Sequence, residues 1–105
     1  MLDELLILKK IKEGDIKAFE ELFRRYYFPL CCYAAGITGQ MAVAEEIVEE
    51  LFYVLWKERV RLQIFQSVKS YLYRATRNQS LQYCEHEEVR NRYREAVLNT
   101  SNPEQ

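Results

Sequence analysis

The sequence predicts an all-α domain: a compact bundle of about four helices, the last of them long and partly projecting. Three observations predict it. The 105 residues include only three glycines and two prolines, so there is little turn material and long helices with few loops are expected. Hydrophobic residues at 49% and charged residues at 30% suit a folded domain rather than a disordered one. Apolar residues recur at three- and four-residue spacing through most of the chain. The length fits one small domain.

The first helix is expected from about Leu2 to Lys12, where Leu5, Leu6, Leu8 and Ile11 give a partly helical pattern. Gly14 stops it, and Asp15 is a good N-cap for the next helix. That second helix spans about Ile16 to Ala35, with Phe19, Leu22, Phe23, Tyr26, Leu30 and Ala34 at helical spacing. Pro29 removes one backbone donor and predicts a kink near Tyr26. The stretch GITGQ, Gly36 to Gln40, is the expected break. The third helix spans about Met41 to Glu58. At about 100° per residue, Ala44, Ile47, Val48, Leu51, Phe52 and Leu55 share an apolar face, with Glu45, Glu46, Glu49, Glu50 and Tyr53 opposite. Residues Arg59 to Gln66 read as a loop. Leu62, Ile64 and Phe65 are too apolar for plain solvent, so they either fold back onto the bundle or line a binding pocket. The fourth helix spans about Ser67 to Arg94, with Ser67 as N-cap. Val68, Tyr71, Leu72 and Ala75 point one way, and Lys69, Ser70, Tyr73, Arg74 and Arg77 the other. Its inward apolar pattern fades at Gln79 and Gln82, so its later part should leave the bundle. The domain body is read as 1–96, followed by a polar tail at 97–105.

Several function classes are disfavoured. No stretch approaches the roughly 18 apolar residues of a membrane span, and the N-terminus does not resemble a signal peptide, so a cytoplasmic protein without membrane insertion is expected. The cysteines, Cys31, Cys32 and Cys84, make a poor disulfide framework and read as reduced, semi-buried thiols. Cys84 and His86 lack a second pair at metal-ligand spacing, so no metal is expected. The sole histidine has no Ser or Asp arranged around it, and there is no glycine-rich phosphate loop. Neither catalytic residues nor a cofactor is expected.

Net charge is −1, yet the charges are segregated. Glu45, Glu46, Glu49, Glu50 and Glu58 face only Lys57 across one segment. Arg59, Arg61, Lys69, Arg74 and Arg77 follow with no acid among them. Two partners of different charge would explain the division. The acidic face suits a basic protein surface. On the basic helix, cations can neutralise phosphates, aromatics can stack on unpaired bases, and Asn78 can read a base edge. An ordinary solvated basic face is the alternative.

Three stretches together narrow these readings. GDIKAFEELFRRYYFPL, AEEIVEELFYVLWKER and SVKSYLYRATRN occur in this order. As a set they resemble region 2 of RNA polymerase sigma factors of the extracytoplasmic-function type, over roughly Ile11 to Tyr83. The resemblance implies a bacterial domain for transcription initiation, with its third helix on the clamp helices of the largest subunit of core RNA polymerase. Glu46, Glu49 and Glu50 sit at the polymerase-contacting positions, and Glu45 and Tyr53 share that face. The loop and fourth helix would open the promoter −10 element and capture a base of the non-template single strand. Arg61, Gln63 and Phe65 belong to that loop, and Lys69, Ser70, Tyr71, Arg74, Arg77 and Asn78 to the helix. An anti-sigma factor is a further expected partner, and the isolated domain is a candidate homodimer. The chain departs from the family where Gln82 replaces Asp and Glu85-His86 replace a basic pair; Glu49 stands where Gln is frequent. A second, −35-binding domain is absent from this chain, which reads as a fragment or a truncated relative. The alternative reading is a sigma-like protein-interaction module without productive DNA binding, suggested by Glu85, Glu87 and Glu88.

Overall fold

The computed structural model describes residues 3–64 and 67–100. Four α-helices follow in order: α1 (Glu4–Lys12), α2 (Ile16–Thr38), α3 (Met41–Lys57) and α4 (Val68–Thr100), with a 3₁₀ turn at Arg59–Arg61 before α4. The predicted all-α bundle is thus the observed one. Among the described residues no helix is long and apolar enough to cross a membrane.

Local chemistry sets most of the boundaries. The Asp3 carboxylate accepts from Leu5 N at the start of α1, and Asp15 accepts from Lys17 N (3.0 Å) and Ala18 N (3.2 Å) at the start of α2. Ser67 Oγ accepts from Ser70 N at 3.1 Å, the expected cap of α4. The break after α2 is shorter than GITGQ suggested. Gly36, Ile37 and Thr38 remain helical, and the break is Gly39, at φ 78° with its N–H bonding Ala35 O at 2.8 Å, and extended Gln40. Pro29 lies within α2 on its exposed side, and the helix continues past it to Thr38.

The core is a single cluster drawn from every helix. It includes Ile7 and Ile11 of α1, Leu22 and Leu30 of α2, Val48 and Phe52 of α3, and Val68 and Leu72 of α4. Helix α1 turns a different face inward from the one expected. Ile7, Leu8 and Ile11 are buried while Leu5 and Leu6 are exposed, because the 7–8–11 row meets α2 and α4. A polar clasp fixes this docking. Glu4 accepts from Tyr26 Oη at 2.6 Å and from Arg25 Nη1 at 3.2 Å, and Arg25 also pairs with Glu21 at 3.0 Å. Burial, then the bond to Glu4, pushes the Tyr26 phenol up to about 12.

Leu62 folds back and is buried, and Ile64 packs partly against the core, so the apolar loop residues divide toward folding back rather than lining a pocket. Phe65 and Gln66 lie outside the described residues.

Helix α4 corrects the expected facing most strongly. Its buried residues are Val68, Leu72, Thr76 and Ser80, a strict four-residue row. Each such step advances about 40° beyond a full turn, so the seam winds around the helix instead of keeping one face. Tyr71, expected inward, is therefore exposed, and Tyr73, expected outward, is half-buried edge-on against Tyr33 at 5.1 Å. The row extends to half-buried Cys84, whose thiol donates to Ile37 O at 3.5 Å. Packing thus persists well beyond the first turns, while Gln79 and Gln82 face solvent. Past Glu87 every described residue is exposed, and the molecule measures 66 × 24 × 22 Å. The projection is as expected, but the helix runs to Thr100 rather than ending near Arg94.

Candidate functional site

The acidic face of α3 is exposed at Glu45, Glu46, Glu49, Glu50 and Tyr53, but it is two rows rather than one. Glu45 and Glu49 run along the flank toward α2, where Tyr27 Oη donates to Glu49 Oε2 at 3.1 Å. Burial, followed by that bond, raises the Tyr27 phenol well above its ordinary value. Glu46 and Glu50 run along the opposite flank, toward α4. Tyr53 stands between the rows, with Lys57 Nζ at 5.9 Å from its ring centroid.

Between α3 and α4 lies a groove of about 750 Å³. Val43, Ile47, Leu51 and Val54 give it an apolar α3 wall, and Glu46 and Glu50 form the lip above. From α4 come Tyr71, Ala75, Asn78, Gln79 and Tyr83. The groove joins two residues assigned to polymerase with two assigned to DNA. The groove is not legible in the sequence, because the buried row of α4 runs through Thr76 and Ser80 and leaves Tyr71 and Ala75 on the groove. Ala75, the small side chain of α4 in this lining, is the signal that could have revealed it.

Arg74 lies one helical turn from both Tyr71 and Asn78, so it borders the groove from outside. Ser70 and Arg77 continue that exposed row, whereas Lys69 sits a quarter turn or more away, on the flank of Tyr73. Arg61 and Gln63 are exposed at the loop, Arg61 in a loose 3.9 Å pair with Glu58. Phe65 lies outside the described residues. The structure therefore brings Ser70, Tyr71, Arg74, Arg77 and Asn78 onto one continuous surface of α4, with Lys69 on another face of the helix and Arg61 and Gln63 exposed in the preceding segment. Arg59 is not available to that surface. Its guanidinium stacks 4.2 Å from the Trp56 ring centroid and donates to Trp56 O at 2.9 Å. Gln82 and Glu85, two of the departures noted above, share a shallow concavity with Asn78, so a carboxylate ends the cationic row. Among the described residues no three His, Cys, Asp or Glu side chains gather as a metal site.

The chain was compared with known proteins. A family model described as Sigma-70 region 2 matches residues 22–89, well over half of the chain. Among solved structures, it is similar to an engineered region 2 of sigmaE, determined by NMR in complex with GTAAAA. The TM-score is 0.72 at 21% identity, covering 85% of this chain and 93% of that one. At that identity the likeness is one of fold. No curated protein matches the chain.

Proposed function

Because this chain belongs to the sigma-70 region 2 family, we propose that it works as an extracytoplasmic-function type of region 2, docking on the polymerase clamp helices and capturing the melted −10 non-template strand. It would act in the cytoplasm, where polymerase works, and needs no catalytic group of its own. The observation that carries this reading is the adjacency of two opposite surfaces: the Glu46–Glu50 lip on α3 and the Ser70–Arg74–Arg77 row on α4, separated by one groove. A partner seated on the carboxylates and a strand held by the cations can occupy the domain together. The similar solved domain carries GTAAAA, which supports a single-strand ligand here.

The work is physical. Unstacking a base costs a few kcal/mol. Tyr71 offers an exposed ring for stacking, Asn78 a paired donor and acceptor, and the arginines hold the backbone. Fluorescence anisotropy with a labelled −10 non-template strand at low salt tests the reading. Asn78→Ala should weaken binding by about 1–3 kcal/mol for the preferred sequence alone, as lost base contacts do. Arg77→Ala should weaken all sequences together and flatten the salt dependence. A second reading, an interaction module without productive DNA binding, is favoured by exposed Glu85 beside Asn78. It prevails if the strand does not bind, or if neither substitution changes binding.

A further inference from the structure

Among the described residues two uncovered surfaces match one another. One is the α3–α4 groove, apolar inside and lipped by Glu46 and Glu50. The other is the projecting end of α4. There Val89, Tyr93 and Val97 recur at four-residue spacing, with Tyr93 72% exposed and Val89 58%. Arg90 and Arg94 lie on one side of this stripe and Arg92 on the other. Arg90 and Arg92 pair only within the helix, with Glu87 at 2.7 Å and Glu88 at 3.7 Å, surface contacts of little strength.

The register connects the two surfaces. A displacement of about eighteen residues is five whole helical turns. Val89, Tyr93, Ala96 and Val97 therefore fall on the same face of α4 as Tyr71, Ala75, Asn78 and Gln79, which line the groove. The groove-lining face continues through the exposed polar residues Gln82, Glu85 and His86 and then becomes the exposed apolar stripe.

We propose that the groove receives the projecting end of α4 from a second copy of this chain, in a closed antiparallel two-fold dimer. An axis near residue 84 sets Tyr93 of each copy over Ala75 of the other, and Val97 over Tyr71. The stripe from Val89 to Val97 is about 12 Å long and the α4 wall from Tyr71 to Tyr83 about 18 Å, so the stripe fits within the groove. The arginines on one side of the stripe meet the Glu46–Glu50 lip, which bears charge of the opposite sign. Because each copy both gives a stripe and receives one, the contact closes on itself and leaves no apolar face to propagate a filament. The paired helices overlap for about 40 Å, enough length for an interface of the size that stable dimers bury. The dimer covers Glu46, Glu50, Tyr71 and Asn78. If the proposed function is right, it is a resting form unable to take polymerase or DNA; the dimer itself does not depend on that reading.

Sedimentation velocity of the 105-residue chain from about 1 μM to about 1 mM tests it. A concentration-dependent dimer is expected. Tyr93→Glu puts a carboxylate in the apolar groove below two others and should weaken the dimer about 100-fold or more, with an unchanged circular dichroism spectrum. Glu46→Arg with Glu50→Arg should weaken it about tenfold, and adding Arg90→Glu, Arg92→Glu and Arg94→Glu to the same chain should restore it. A chain that stays monomeric at about 1 mM overturns the proposal, as does a dimer that Tyr93→Glu leaves intact.

Discussion

The two flanks of α3 come from one amphipathic helix and end up opposite in kind. Toward α2, large rings fill the seam: Phe19 packs on Trp56 at 5.1 Å, and Phe23 packs on Phe52 at 5.0 Å and on Tyr27 at 4.7 Å. Toward α4 the same helix offers Val43, Ile47 and Val54, but α4 answers with Ala75, Asn78 and Gln79 between Tyr71 and Tyr83, and a groove remains. The difference teaches that side-chain volume across the seam, rather than the apolar character of α3, decides where the domain is closed. The filled flank closes the α2–α3 side of the core, and the open flank leaves apolar side chains of α3 facing a groove.

The largest test of that comparison is a pair of truncations. Phe52→Ala, at a buried site between two aromatic neighbours, should destabilise the domain by about 3–5 kcal/mol in urea denaturation. Ile47→Ala, at the half-covered groove wall, should cost about 1 kcal/mol or less. Equal losses would mean that the groove is closed in solution and the two flanks do not differ.

Tyr27→Phe asks whether the filled flank also orients the outer row of acids. Losing the hydroxyl bonded to Glu49 should cost about 0.5–1.5 kcal/mol of stability. It should also remove one tyrosine that ionises above the ordinary range in an alkaline absorbance titration. Loss of a tyrosine from the ordinary range instead would place Tyr27 in open solvent, with both flanks equally loose.

The sequence made the filled flank legible and hid the open one for a physical reason. Phe19, Leu22, Phe23, Tyr26 and Leu30 are all large and apolar or aromatic and recur at three- and four-residue spacing, so an apolar helical pattern finds them. Helix α4 packs along the same kind of four-residue row as α2 and α3, but its row passes from Val68 and Leu72 to the polar Thr76 and Ser80, which an apolar pattern does not mark as inward. Tyr71 and Tyr73 therefore exchanged places. The acids and cations of the candidate site were legible as types and as segregated blocks. Their division into two rows of acids, and the groove joining Glu46 to Asn78, depended on which side of α4 meets α3.

Thr76 gives the opposite sign to the truncations. Its hydroxyl is buried on the seam of α4, and Oγ1 has no hydrogen-bond partner among the described residues. Thr76→Val keeps the shape and removes the unmet polar group, so it should leave stability unchanged or raise it by up to about 1 kcal/mol. A loss above about 1 kcal/mol would reveal a bond to that hydroxyl, and the α4 seam would then be as well satisfied as the aromatic one.

The smallest expected effect bears most directly on why the open flank is acidic. Glu46 and Glu50 stand four residues apart on α3, and like charges at that spacing repel by about 0.2–0.5 kcal/mol. Neither forms an ion pair among the described residues, so the repulsion is not offset there. Glu46→Gln with Glu50→Gln should therefore raise the melting temperature slightly. The same change should weaken binding of a basic clamp-helix peptide, measured by calorimetry at low salt. Tighter folding with weaker binding identifies the carboxylates as groups held for a partner at a small cost to the fold. If folding improves while peptide binding is untouched, docking falls instead to the Glu45–Glu49 row, and the filled flank, not the open one, is the polymerase face.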